Sequence, residues 1–477
     1  MRDCGRDTLH NQVADNVRKM CIFAQNTLEK CDKHPICPMS TEIKRDVIND
    51  LLQWKQRPDR KPLIICGTRQ IGKTWAMRRF GEENFDYVAY FNFDSSEELC
   101  REFENTKDPK RLIDILRLYS DCPIEPGRTL MIFDEIQQSN KALNSLKYFC
   151  EEAPQYHILA AGSLLGVALS KGDSFPVGKV DFLRMYPVTF REFLDADDPQ
   201  MYEYVENLSG IAPLPEIVMN RLVESYRRYQ TSGGMPAAVV AMLDRRGVKE
   251  IENVQDSILT AYTLDFAKHA PGKDIPRISA IWSSIPSQLA KENRKFIYKI
   301  VKTGARGREY EDALLWLEHA GMIYRVFCSS KPGLPLSAYD DLSAFKVYLC
   351  DGGLLRRMAQ LPAEVLWTEN PLYAEFKGAM AENMVLQSLV SQFEVMPRYW
   401  TSEATAEVDF LLQNGTSIIP VEVKSGTRLG GKSLGLYINR SGVTTALRFS
   451  MNNLKRDGAV LNIPLPLADW TAKILTL

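Results

Sequence analysis

Eight consecutive residues, Gly67-Thr68-Arg69-Gln70-Ile71-Gly72-Lys73-Thr74, fit the spacing G-x-x-x-x-G-K-[ST] at every required position. The chemistry needs glycines so that backbone N–H groups can curl around phosphate oxygens, a lysine to reach the β- and γ-phosphates, and a hydroxyl to hold Mg²⁺. Lys73 and Thr74 take the last two roles, so the segment predicts a site for ATP with Mg²⁺. A second element follows in Leu130-Met131-Ile132-Phe133-Asp134-Glu135, an apolar run ending in two carboxylates. Asp134 is placed to share the Mg²⁺ with Thr74, and Glu135 to polarise the water that attacks the γ-phosphate. A glutamate beside the metal aspartate argues for hydrolysis over a nucleotide-bound structural switch. Ser163 ends the next apolar run, where it could position that water from a neighbouring strand; a small residue in a tight turn also accounts for it.

The C-terminal region carries a different constellation. Val408-Asp409-Phe410-Leu411-Leu412 and Val421-Glu422-Val423-Lys424 read as strands, and the connection between them contains Asn-Gly, a strong hairpin signal. Strand alternation places Glu422 and Lys424 on one face. With Asp409 on the partner strand, two carboxylates and a lysine can gather, a set suited to Mg²⁺- or Mn²⁺-dependent phosphodiester cleavage. A solvated ion pair on a strand face is the bland alternative. Between residues 291 and 308 there are seven basic side chains (Lys291, Arg294, Lys295, Lys299, Lys302, Arg306, Arg308) against Glu292 alone, a candidate DNA phosphate-contacting surface.

These residues must be positioned by a chain of 477 residues, 45% hydrophobic and 25% charged, enough for two to four domains at roughly 100 to 200 residues each. Fifty-nine Lys and Arg offset 60 Asp and Glu for a formal net charge of -1, so nucleic-acid binding would need a local patch. The longest nearly apolar run, residues 158–169, holds 12 residues, short of the roughly 20 that span a bilayer. The opening MRDCGRDTLHNQ has no apolar core of a signal peptide, which points to a cytoplasmic, reducing compartment and free thiols. Cys31, His34 and Cys37, with Cys21 upstream, lack the paired spacing of structural zinc. Short apolar runs at 63–67, 87–94, 129–135 and 157–163 alternate with helical stretches, the mark of a parallel α/β sheet. Residues 191 to about 270 read as helical with a break at Gly233-Gly234-Met235-Pro236. From about 275, helices lead into AGMIYRVFCSS and FKVYLCD, a pattern that suggests a winged helix.

GTRQIGKT, LMIFDEIQ, the AAGS strand end, PVGKVDFLRMYPVTFREFL and YRRYQTSGGMPAAV, in that order, resemble the bacterial and archaeal AAA-type ATPases with a C-terminal domain of unknown function related to PD-(D/E)XK nucleases. The resemblance covers about residues 43–460. It implies that Lys73, Thr74, Asp134 and Glu135 bind and hydrolyse nucleotide and that Ser163 is a sensor. It also implies that the turn ending in Pro236 rests against the nucleotide base and that Glu382 is the acidic residue preceding the nuclease-like core of Asp409, Glu422 and Lys424. Arg184 and Arg191 follow the fourth core strand, the region where oligomeric relatives often place an arginine finger, and Arg184 is the candidate.

The expected architecture is therefore α/β: an N-terminal helical extension (1–40), an AAA+ P-loop ATPase core with a parallel sheet (41–190), a helical lid (191–274), a winged-helix-like domain (275–365) and a restriction-endonuclease-like domain (366–477). The expected function is Mg²⁺-dependent ATP hydrolysis coupled to a DNA-contacting winged helix and the nuclease-like domain, with oligomerisation compatible. The alternative is a nucleotide-controlled signalling switch whose nuclease-like domain binds a protein partner without cutting. A nucleotide kinase fits less well, because the lid segment has no arginine-rich phosphate clamp.

Overall fold

A computed structural model describes residues 41–477 apart from 163–175, 177, 292–294, 369, 403–405, 429 and 431. Ser163, Arg294 and the 1–40 extension, with its Cys21, Cys31, His34 and Cys37, lie outside the described residues.

Five short runs become the first sheet: β1 (Leu63–Cys66), β2 (Tyr87–Asn92), β3 (Thr129–Asp134), β4 (His157–Ala161) and β5 (Asp181–Arg184). All pair in parallel, in the order β2-β3-β4-β1-β5. Every residue of β3 and β4 is buried, as expected when helices cover both faces of a parallel sheet. Period-two alternation divides the side chains. Ile64, Met131, Phe133, Ile158 and Ala160 pack with Phe103 and Phe149 of the helices Glu97–Asn105 and Asn140–Glu152. Leu63, Ile65, Leu130, Ile132, Leu159 and Ala161 face the helices Val47–Gln56 and Lys73–Asn84 through Leu51, Trp54, Met77 and Phe80. Because β1, β4 and β3 run parallel, the loop after β1 and the carboxylates at the end of β3 open onto the same edge of the sheet, where α/β folds bind ligands.

Five helices follow: Phe190–Asp197, Pro199–Glu206, Glu216–Ser232, Pro236–Leu243 and Val248–His269. The first opens on a capping box formed by Thr189 and Glu192. The chain breaks at Gly233-Gly234-Met235, and Pro236 starts the next helix at its first position, where its missing N–H leaves no bond unmade.

The second sheet joins β6 (Ile323–Ser329), β7 (Asp340–Leu349), β8 (Arg398–Thr401), β9 (Glu407–Asn414), β10 (Ser417–Val423), β11 (Ala446–Ser450), β12 (Lys455–Asp457) and β13 (Val460–Pro464). Its order is β12-β13-β11-β10-β9-β8-β6-β7. The β6–β7 hairpin, expected to end a self-contained unit, thus continues the C-terminal sheet, with Cys328 of β6 opposite Tyr399 of β8. Fully buried Lys346 of β7 reinforces the join by pairing with Glu407 of β9 and lying 4.9 Å from the Tyr399 ring centre. Residues 42–477 cluster as a single unit. Among the described residues, no helix is long and apolar enough to cross a membrane.

Candidate nucleotide site

The loop after β1 needs its glycines for two different reasons. A Cβ on Gly67 would meet the Met185 carbonyl oxygen and come within 2.5 Å of Ile71 Cδ1. Gly72, at φ 91°, is the left-handed residue that turns the chain into helix Lys73–Asn84. That helix starts without a side-chain cap or an acidic residue in its first turn, so its N-terminal amides face the loop as an anion site.

Lys73 is buried and donates to the carbonyl oxygens of Gly67 (2.9 Å) and Thr68 (2.8 Å). Burial brings its ammonium pKa down to about 8, opposed by the nearby carboxylates of Glu135 and Asp134. The Thr74 hydroxyl donates to Asp134 Oδ2 at 2.6 Å, which leaves its lone pairs available to a cation. Tyr90 donates to the same oxygen at 2.8 Å, and the Glu135 amide to Oδ1 at 3.0 Å. A hydroxyl oxygen beside a carboxylate is a donor set that suits Mg²⁺. Glu135 leaves the strand with φ 51°, and Gln137 Nε2 donates to its Oε2 at 2.5 Å.

Three side chains that nothing in the sequence singled out hold this loop. Buried Arg45 donates to the carbonyls of Ile71 (2.9 Å) and Tyr186 (2.7 Å) and pairs with Glu192 at 3.1 Å. Fully buried Tyr262 donates to the Arg69 carbonyl at 3.0 Å and accepts from the Thr68 hydroxyl at 3.3 Å, while Asp265 pairs with the Arg69 side chain. Arg45 precedes the loop and the other two sit almost two hundred positions beyond it, so no local spacing links them. Pro236 also reaches the loop: a Cβ on Gly72 would lie 3.8 Å from its Cγ. Tyr262→Phe removes both hydrogen bonds and is expected to lower stability by about 1 to 2 kcal/mol and to weaken ATP binding about three- to tenfold as the loop loses its support. Titration with a fluorescent ATP analogue reads this, and unchanged affinity would remove Tyr262 from the loop's support.

Arg184 ends β5 and lines a cleft of about 620 Å³ shared with Gly67, Thr68, Glu318 and Arg325. Arg191 is engaged elsewhere, with Glu206 at 2.7 Å and Asp46 at 3.0 Å.

In the second sheet the β9–β10 register pairs Val421 with Phe410, and one further step sets Glu422 opposite Asp409. Lys424 Nζ lies 3.3 Å from Glu422 Oε1, and Asp409 sits on the adjoining strand. They arrive with partners of their own. Asp409 Oδ2 accepts from the Val423 amide at 2.7 Å, and Arg448, paired with Glu422 across β10–β11, donates to Glu422 Oε2 at 2.8 Å. Buried Glu382 accepts from the Tyr348 hydroxyl at 3.0 Å. Among the described residues, no three His, Cys, Asp or Glu side chains gather into a metal-holding group. The Arg448 contact had no signal in the sequence, since it depends on which strand becomes the parallel neighbour of β10.

Residues 59–194 match the family of the AAA domain, residues 223–365 a domain of unknown function (DUF8612), and residues 377–467 another (DUF4143). A comparison with curated proteins finds no match. Solved structures similar to this chain include a Walker-type ATPase of Pyrococcus abyssi, at 15% identity over 69% of this chain and 99% of that one, with a TM-score of 0.44. The RuvB Holliday junction branch migration motor of Thermotoga maritima shows 14% identity over 60% and 90%, with a TM-score of 0.30. The ORC1 protein of Aeropyrum pernix, solved in complex with DNA, shows 13% identity over 69% and 95%, with a TM-score of 0.29. The family match and the loop geometry agree: residues 59–194 form an AAA-type P-loop nucleotide-binding core.

Proposed function

We propose that the chain hydrolyses ATP in a Mg²⁺-dependent manner and uses the nucleotide cycle to control its C-terminal sheet. The observation that carries this reading is the Thr74–Asp134 hydrogen bond at 2.6 Å, with Lys73 and Glu135 close to that carboxylate. Thr74 and Asp134 hold the metal, which when bound neutralises charge developing on the phosphates. Lys73 and the helix N-terminus bind the β- and γ-phosphates, Pro236 closes on the base, and Glu135 orients the attacking water with Ser163. Arg184 is the candidate finger, serving an oligomer. Purified protein should bind ATP and release phosphate only with Mg²⁺, and Lys73→Ala should do neither; equal turnover by the variant would overturn the reading.

The exposed Lys291, Lys295, Lys299, Lys302, Arg306 and Arg308 form the proposed DNA-contacting face. Lys295→Glu with Lys299→Glu and Lys302→Glu is expected to reduce duplex affinity at least tenfold and to flatten its salt dependence by about 0.9 per lost phosphate contact. Binding titrations across salt concentrations check this, and an unchanged slope removes the face from DNA contact.

For the C-terminal cluster, the Arg448–Glu422 contact favours the second reading, a nucleotide-controlled switch whose sheet binds a partner. Two cations already neutralise Glu422, and a divalent ion would have to displace one of them. Cleavage of plasmid or single-stranded DNA with Mg²⁺ or Mn²⁺, lost in both Asp409→Ala and Lys424→Ala, would instead establish a nuclease.

A further inference from the structure

Helix Val248–His269 meets the nucleotide loop with residues at helical spacing. Tyr262 and Asp265 touch Thr68 and Arg69, and His269, four residues after Asp265, lies on the same face one turn further along. At the helix end, Lys268 Nζ lies 3.7 Å from Oδ1 of Asp94, just after β2, and that oxygen also accepts from Gln138 Nε2 at 2.6 Å. Around this junction three buried polar atoms have no hydrogen-bond partner among the described residues: His269 Nε2, Asp265 Oδ2 and Gln137 Oε1. Gln137 bonds Glu135 through its other side-chain atom, and the charged groups facing His269 are Arg69, Lys268, Asp94 and Glu135. An orphaned buried imidazole nitrogen costs stability unless something fills the space.

We propose that His269 contacts the bound nucleotide, its Nε2 hydrogen-bonding the terminal phosphate of the triphosphate. This rests on the ATP-binding reading above and adds a phosphate contact supplied by a helix outside the ATPase core. Burial, with the cations Arg69 and Lys268, holds the imidazole below its usual pKa, against the pull of Asp94 and Glu135. Added phosphate charge therefore shifts it toward protonation.

The test compares ATP with ADP by calorimetry on the full chain. His269→Ala is expected to lower the ratio of ATP to ADP affinity about tenfold, and His269→Gln, which keeps a donor, to recover part of it. General loosening of the fold would weaken both nucleotides and leave the ratio alone. An unchanged ratio in His269→Ala overturns the proposal. A wild-type chain that binds neither nucleotide overturns the ATP-binding reading itself and this inference with it, an outcome distinct from ATP binding that ignores His269.

Discussion

Glu135→Gln should bind ATP within about twofold of the wild type while turnover falls about 100- to 1,000-fold, the range that loss of a general base produces. The amide keeps the shape of the carboxylate and its place in the turn, where Gln70 shows that a glutamine at φ 63° is tolerated. The Glu135 main-chain bond to Asp134 is also untouched. What disappears is the negative charge that would accept the water's proton. One side effect follows: Glu135 is the largest influence keeping Lys73 protonated against burial, so the variant's lysine should lose its proton at lower pH than the wild type's. Affinities are therefore best compared at pH 7, below the wild-type value of about 8. Lys73→Ala is the contrast, expected to lose tight binding altogether. Single-turnover phosphate release together with equilibrium binding separates the two cases. Hydrolysis by Glu135→Gln at the wild-type rate would show that another group activates the water.

The parts of this site visible in the sequence are those written within a few consecutive residues. Gly67 to Thr74 and Leu130 to Glu135 each combine an apolar run with the side chains at its end, so strand, loop and chemistry can be read together. The Asp409, Glu422 and Lys424 cluster was equally legible because a short hairpin fixes its own register. What remained hidden depends on contacts between distant segments. No local pattern marks Arg45 or Tyr262 until the fold sets both on the loop. The join of β6 and β7 to the C-terminal strands is likewise reinforced by buried Lys346, a residue whose type predicts solvent. Arg448 changes the character of the C-terminal cluster only because β11 lies beside β10.

Gly353→Ala is expected to lower stability by about 3 kcal/mol, the upper range for overpacking. Gly353 lies in the first turn of helix Gly352–Met358, and a Cβ there would stand 2.5 Å from both Cα and N of Gly233 and 2.7 Å from the Ser232 carbonyl carbon. These are backbone atoms with little room to move. The Gly233 amide is bonded to the Tyr229 carbonyl at 2.7 Å, the Gly234 amide to buried Asp351 at 2.6 Å, and the Gly234 carbonyl to the Val188 amide at 2.7 Å. Gly352→Ala tests the reasoning beside it, since the three atoms nearest its Cβ all belong to the unbranched Met384 side chain rather than to backbone, and it should cost about 1 kcal/mol. The same turn carries Pro236 against Gly72, so the Gly353 variant should lose ATP affinity as well as stability, whereas Gly352→Ala should lose little of either. Chemical denaturation and nucleotide titration on both variants give the comparison. Equal denaturation midpoints would mean that the turn yields, whereas a loss of stability without loss of ATP affinity would separate the turn from the nucleotide loop. The expected pair of losses would make helix Gly352–Met358, which lies outside the ATPase core, a support of the nucleotide site, and that is the physical link a nucleotide-controlled C-terminal sheet requires.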